Sequence, residues 1–244
     1  PGHCRRTRAA VGFQYIAIHG NRAFAEWLKT LRGTEWVVYA KKPFGGPEEM
    51  TFTPDSREVV FTARDVGGQE AWSTDFDLYR APIDGSRPPE CLTQANEAWD
   101  CCPAFSPNGE ALAYLAMRRP GYESDLYRLS LYDRRTKEIR RLTDRDSFDN
   151  WIDAVAWSKD SSTLYFQAEE KGRTPIFSIS LDGAIEKLHT DAYIDGWELT
   201  PDASTLVYTR RGISRPQEIS SIALAGGEIR QLTDFNADLE AEVD

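Results

Sequence analysis

Few residues in this 244-residue sequence can do covalent or metal chemistry: three histidines (His3, His19, His189) and four cysteines (Cys4, Cys91, Cys101, Cys102). A serine hydrolase needs a nucleophile exposed on a strained Gly-x-Ser-x-Gly turn, with a base in hydrogen-bond reach. No such motif occurs, and Gly85-Ser86 runs on into Arg87-Pro88-Pro89. His189 follows a predicted strand in Leu188-His189-Thr190 and reads as a solvated loop residue. No catalytic residue is assigned, and no hydrolysis is expected from this polypeptide alone. The cysteines lack CxxC spacing, so no metal site is expected. Cys101 and Cys102 are adjacent, ahead of an apolar strand. In an extended strand their side chains point to opposite faces, and both read as buried structural thiols. There is no glycine-rich phosphate loop, calcium loop or HExxH motif, and no cofactor is expected.

The elements that would hold any site belong to a globular chain. The sequence is 41% hydrophobic, 11% aromatic and 28% charged, which excludes disordered and collagen-like classes. No run approaches 18 apolar residues, so no membrane span is expected. The net charge of −10 argues against attraction of the whole chain to nucleic acid or anionic membrane. The charge is uneven: residues 1–48 carry a net +5 and residues 49–244 a net −15. Pro43-Phe44-Gly45-Gly46-Pro47 is punctuation of the kind that separates segments, which predicts a division into residues 1–48 and 49–244.

The acidic part repeats. Phe52-Thr53-Pro54-Asp55-Ser56, Phe105-Ser106-Pro107-Asn108-Gly109, Trp157-Ser158-Lys159-Asp160-Ser161 and Leu199-Thr200-Pro201-Asp202-Ala203 recur at spacings of 53, 52 and 42 residues. Such periods belong to propeller blades. Each motif ends in a turn, and a β-rich run follows: Val59–Thr62, Leu112–Leu115, Thr163–Phe166 and Thr205–Tyr208. A third strand is predicted at 77–80, 125–128, 175–178 and 218–221. A fourth is predicted at 91–93, 139–143, 185–188 and 229–233. Asp84-Gly85, Asp182-Gly183 and Gly226-Gly227 sit where hairpin turns are needed. The expected fold is all-β: a partial β-propeller of about four four-stranded blades, near residues 50–97, 98–149, 150–194 and 195–236. Trp99, Trp151 and Trp197 recur ahead of the turn motif and are expected to pack between blades. Arg134-Arg135 and Arg140-Arg141 are expected to balance local acidic charge.

Phe105–Gly109, Leu112-Ala113-Tyr114, Asp125-Leu126-Tyr127 and Arg141-Leu142-Thr143-Asp144 together resemble the TolB-like propeller repeat. Three longer stretches, Glu70–Tyr79, Leu115–Glu123 and Leu232–Glu240, resemble the propeller of bacterial dipeptidyl aminopeptidases and acylaminoacyl peptidases. These are serine peptidases of the prolyl oligopeptidase family. The resemblance covers about residues 50–244. It implies a propeller that covers the active site of an α/β-hydrolase domain and admits short peptides, the catalytic residues lying in that other domain. It also implies that the array is truncated, with Met50 falling inside the parent propeller and Asp244 near the crossover into the hydrolase domain.

Relatives that release dipeptides hold the substrate ammonium group with propeller carboxylates. The first two units are longer than the third, the extra residues falling at 65–75 and 118–124. The resemblance therefore makes Glu70, Trp72 and Glu123 the candidate substrate-binding residues. The implied partners are short peptides and the absent hydrolase domain. Open blade edges are expected to promote self-association. The two other readings are a TolB-like protein-interaction scaffold and a DNA-binding remnant. The sequence leaves the compartment open between cytoplasm and periplasm.

In the basic segment, Phe24, Trp27, Leu28 and Leu31 have helical spacing, and residues 35–40 read as a strand, giving a short α/β extension. Thr34–Glu48, within a stretch from about residue 22, resembles rolling-circle insertion-sequence transposases. The resemblance implies an in-frame fusion whose catalytic tyrosine is missing, and Tyr39 takes a strand-packing role.

Overall fold

The computed structural model describes residues 37–38, 47–65, 72–188, 193–213 and 215–243. The chain forms two compact units, residues 1–149 and 150–244. Glu70, His3, His19 and His189 lie outside the described residues, as do Tyr39 and most of the segment carrying the transposase resemblance.

The first unit holds two antiparallel sheets. In the first blade β1 (Val37–Val38), β2 (Met50–Phe52), β3 (Glu58–Arg64), β4 (Asp77–Pro82) and β5 (Glu90–Cys91) associate. β2 pairs with the first half of β3 and β1 with its second half, so five strands occupy four positions. Val37 and Val38, within the stretch 35–40 that the sequence reads as a strand, thus join the sheet of the first blade. The second blade is β6 (Asp100–Phe105), β7 (Ala111–Ala116), β8 (Arg128–Asp133) and β9 (Ile139–Arg141), paired in that order.

The second unit repeats the pattern twice. β10 (Ile152–Trp157), β11 (Thr163–Ala168), β12 (Ile176–Ser180) and β13 (Ile185–Lys187) form one sheet. β14 (Tyr193–Leu199), β15 (Thr205–Arg211), β16 (Glu218–Ala223) and β17 (Arg230–Gln231) form the other, followed by a short helix α1 (Ala237–Val243). The all-β, four-blade expectation is met.

The recurring motif builds one turn four times. The hydroxyls of Thr53, Ser106, Ser158 and Thr200 donate to Asp55, Asn108, Asp160 and Asp202 at 2.6–2.7 Å. The same hydroxyl oxygens accept the N–H of Glu58, Ala111, Thr163 and Thr205, where the second strand begins or is about to begin. The fifth motif residue adopts a left-handed backbone each time: Ser56 (φ 55°), Gly109 (72°), Ser161 (62°) and Ala203 (50°). A polar side chain here replaces backbone bonds that the turn would leave unmade.

One strand position is displaced from expectation. The third strand of the second blade starts at Arg128, not Asp125. The Asp125 carboxylate accepts the N–H groups of Arg118 (2.8 Å) and Arg119 (3.1 Å). It is committed to folding the preceding loop and so stays out of the ladder.

In the first unit, Val60 and Leu78 of the first blade pack with Leu112, Tyr114 and Tyr132 of the second. In the second unit, Ile176 packs with Ile194, Leu206 and Tyr208. Burying each such side chain contributes roughly 1.5–3 kcal/mol. At the rim, Arg134 pairs with Glu58 at 3.6 Å and donates to the Gly109 carbonyl at 2.9 Å. This matches the charge-balancing role expected of it.

Candidate functional site

Trp72 lies in the described part of the β3–β4 connection, residues 72–76, and Glu123 in the β7–β8 loop, residues 117–127. The two loops touch: the Gly121 N–H donates to Thr74 Oγ1 at 2.8 Å. Gly121 has φ 73°, a left-handed conformation that glycine takes without strain. Each loop is braced from within. The Arg64 guanidinium bonds the Ser73 carbonyl and lies 4.6 Å from the Phe76 ring centroid. Arg119 covers the Tyr122 ring at 4.0 Å.

Trp72 and Glu123 each lie two residues from this bridge. Trp72 is 79% exposed and Glu123 is exposed too. The structure joins their loops but encloses neither side chain in a cleft. An exposed indole on one loop and an exposed carboxylate on the other are groups of the kind that can offer an apolar platform and an anionic partner to a cationic ligand.

Beneath the loops lies an acidic group that sequence reading did not single out. Asp77, at the start of β4, is buried and accepts the Thr93 hydroxyl at 2.8 Å. Asp100, at the start of β6, is fully buried and accepts from Asn96 Nδ2 at 2.8 Å. Its backbone N–H donates to the Phe76 carbonyl at 2.7 Å, and Phe76 packs on Trp99 at 4.6 Å. Asp75 lies at the loop's end. Burial, with repulsion from Asp77 and Glu97, pushes its carboxyl up to about 6. Burial also raises Asp77 and holds Asp100 well above the usual range. Crowded, poorly solvated carboxylates favour either protonation or a nearby cation. The signal in the sequence was the closing Leu-Thr pair, because Thr93, Thr143 and Thr233 each accept a third-strand N–H at 2.9–3.0 Å.

A second cluster corrects an expectation. Cys101 and Cys102 do not point to opposite faces. The β6–β7 register shifts between Cys101 and Ala104, and Cys102 has φ 54°. This bulge turns the second thiol back, so that both Sγ atoms and a carboxylate oxygen of Glu49 all lie within 4.8 Å of one another. Among the described residues this is the one group of three or more side chains arranged to hold a metal ion.

The PD40 family, the TolB β-propeller domain, matches residues 89–242. Dipeptidyl-peptidase 5 of Porphyromonas gingivalis is 26% identical over 196 residues, covering 80% of this chain and 28% of that protein. Dipeptidyl-peptidase 5 of Aspergillus fumigatus is 31% identical over 177 residues, 68% of this chain and 24% of that one. The chain therefore spans less than a third of the length of these relatives. The acylaminoacyl peptidase of Pyrococcus horikoshii superposes with a TM-score of 0.60 at 21% identity, over 80% of this chain and 28% of that one. That likeness is one of fold.

Proposed function

Because this chain belongs to the TolB β-propeller family, we propose that it is the propeller part of a serine exopeptidase of the dipeptidyl or acylaminoacyl type. In this reading it receives short peptides for an α/β-hydrolase domain that does the chemistry. The observation that carries it is the match to dipeptidyl-peptidase 5 across 80% of the chain, with two blade loops locked together through Gly121 and Thr74. Glu70, Trp72 and Glu123 are the residues assigned to the peptide. The propeller supplies selection by charge and shape, and it performs no bond cleavage by itself.

The test is calorimetric titration of the whole chain with a dipeptide bearing a free amino terminus, and with its N-acetylated form. The free form should bind more tightly. Trp72→Ala and Glu123→Gln should weaken that binding without moving the melting temperature, since both side chains are exposed. Equal binding of the two forms, or none, would sink the proposal. Turnover of a chromogenic dipeptide by the chain alone would refute its non-catalytic part.

A protein-interaction scaffold is the second reading, favoured by the PD40 match over residues 89–242. A stoichiometric protein partner in the absence of dipeptide binding would support it. A DNA-binding remnant in the basic segment is a third, supported by the net +5 of residues 1–48. Salt-sensitive DNA retention, lost on deleting residues 1–36, is its test.

A further inference from the structure

We propose that Glu49, Cys101 and Cys102 form a three-ligand site for a thiophilic divalent cation of the zinc type. The site uses none of the residues assigned to peptide binding. Glu49 ends the short 3-10 turn Pro47–Glu49 ahead of β2, and the two cysteines open β6, which packs beside that turn and strand. The turn that leads into the first blade and the first strand of the second blade thus contribute the ligands.

The geometry suits the ion. In tetrahedral zinc sites the metal–sulfur bond is about 2.3 Å and metal–oxygen about 2.0–2.2 Å, which sets neighbouring ligand atoms roughly 3.4–3.8 Å apart. The three atoms here lie within 4.8 Å of one another with no ion between them, so only a small contraction is needed. The bulge that produces this is costly: Cys102 is a non-glycine residue in the left-handed region, a conformation that requires support from its surroundings. The Cys102 N–H reaches Glu49 Oε2 at 3.4 Å, which orients the carboxylate toward the thiols.

The ligand atoms sit in a poorly solvated place. Glu49 is buried, and burial is the main cause raising its carboxyl above the usual range. Cys101 is buried, and its thiol is held well above its ordinary value, first by burial and then by Cys102. Thr62 beside Glu49 is fully buried, and its hydroxyl side chain faces the Glu49 carboxyl. Glu49 and Cys101, whose charged forms burial disfavours, are stabilised as anions when a divalent cation sits beside them. Binding would form two metal–sulfur bonds and one metal–oxygen bond, break the two S–H bonds, and release the thiol protons to solvent, with no change of oxidation state. Thiolates select soft or borderline cations over magnesium and calcium. One coordination position remains for water.

The experiment uses the whole chain, reduced and freed of metal. Titration with cobalt(II) and cadmium(II) should give a thiolate-to-metal charge-transfer band that saturates at one ion per chain. Zinc(II) should displace cobalt, and magnesium should not. Cys102→Ser should abolish the band, Cys91→Ser should leave it, and Glu49→Gln should weaken affinity by about 10-fold or more, the loss that even an outer partner can cause. If Cys102→Ser fails to fold, phenylarsine oxide provides a second reading on the native protein. It should bridge the two thiols through two As–S bonds with loss of water, and zinc should block that reaction. Absence of any band from a chain with free thiols overturns the proposal, as does a band that survives Cys102→Ser or an arsenical reaction indifferent to zinc.

Discussion

The Thr93 hydroxyl donates to the buried Asp77 carboxylate at 2.8 Å, while the same oxygen accepts the Leu78 N–H at 3.0 Å. One side chain therefore fastens the segment just after the last strand of the first blade to β4 and serves a carboxylate that burial disfavours. Thr93→Val keeps the shape and deletes both bonds. A buried acceptor left unsatisfied costs about 1–3 kcal/mol. The expected outcome is a lower urea midpoint at unchanged m-value, and a smaller loss at a pH low enough to protonate Asp77. An equal loss at both pH values would disprove the carboxylate's part.

The carboxylates around Asp75 make stability depend on pH in an unusual direction. Its folded-state value of about 6 lies above the ordinary 3.8, through burial first and then repulsion from Asp77 and Glu97. For an acid raised in this way, the unfolded chain ionises first as pH climbs. Stability is then full below about pH 4 and is lost up to about pH 6, with Asp77 and Asp100 adding in the same sense. Turn carboxylates such as Asp160 and Asp202, held to about 2 by hydroxyl and N–H donors, act oppositely, but only below about pH 4. The melting temperature should rise as pH falls from 7 to 5. Asp75→Asn should flatten that slope, and a wild-type slope of the other sign would contradict the arrangement.

Most of the fold is legible in the sequence because the information is local and repeated. The hydroxyl of Ser158 and the carboxylate of Asp160 specify a turn wherever they recur with this spacing, and a run of β-branched and aromatic residues locates the strand after it. The loops are less legible. Asp125 reads as a strand residue from its neighbours Leu126 and Tyr127, yet it caps Arg118 and Arg119. The Cys101–Cys102 bulge was hidden for a related reason: a left-handed cysteine carries no local signature of the kind that glycine provides. Glu49 lies 52 residues from Cys101 in sequence, so their meeting depends on blade packing. Unit length led to the loops that carry Trp72 and Glu123, but length says nothing of side-chain direction.

The left-handed turn position offers a comparison within one molecule. Gly109 occupies it in the second blade, and a Cβ there would meet Pro54 Cγ at 3.3 Å. Ala203 holds the same position in the fourth blade at φ 50°. A left-handed conformation costs a non-glycine residue about 1–2 kcal/mol. Gly109→Ala should therefore lower stability by at least that much, while Ala203→Gly should raise it, offset in part by the entropy of glycine in the unfolded chain. Thermal unfolding of the two variants checks this, and shifts of the same sign would count against the shared turn geometry.

Equivalent positions also identify a face open to association. Leu78, Ile176 and Ile219 each give their carbonyl to the N–H of the leucine that directly follows the closing strand: Leu92, Leu188 and Leu232 respectively. Leu78 and Ile176 are fully buried against a following blade, whereas Ile219 is 36% and Leu232 47% exposed, with Phe235 at 84% nearby in sequence. A surface that packs a sheet in two blades is chemically prepared to pack one in the fourth, and in a pure solution of this chain the available sheet is a second copy. Sedimentation should show a mass that grows with concentration. Ile219→Thr combined with Leu232→Gln should reduce that growth while changing the melting temperature little, because both side chains are partly exposed. A single monomeric species across the concentration range would show that this apolar face has no affinity for its own kind.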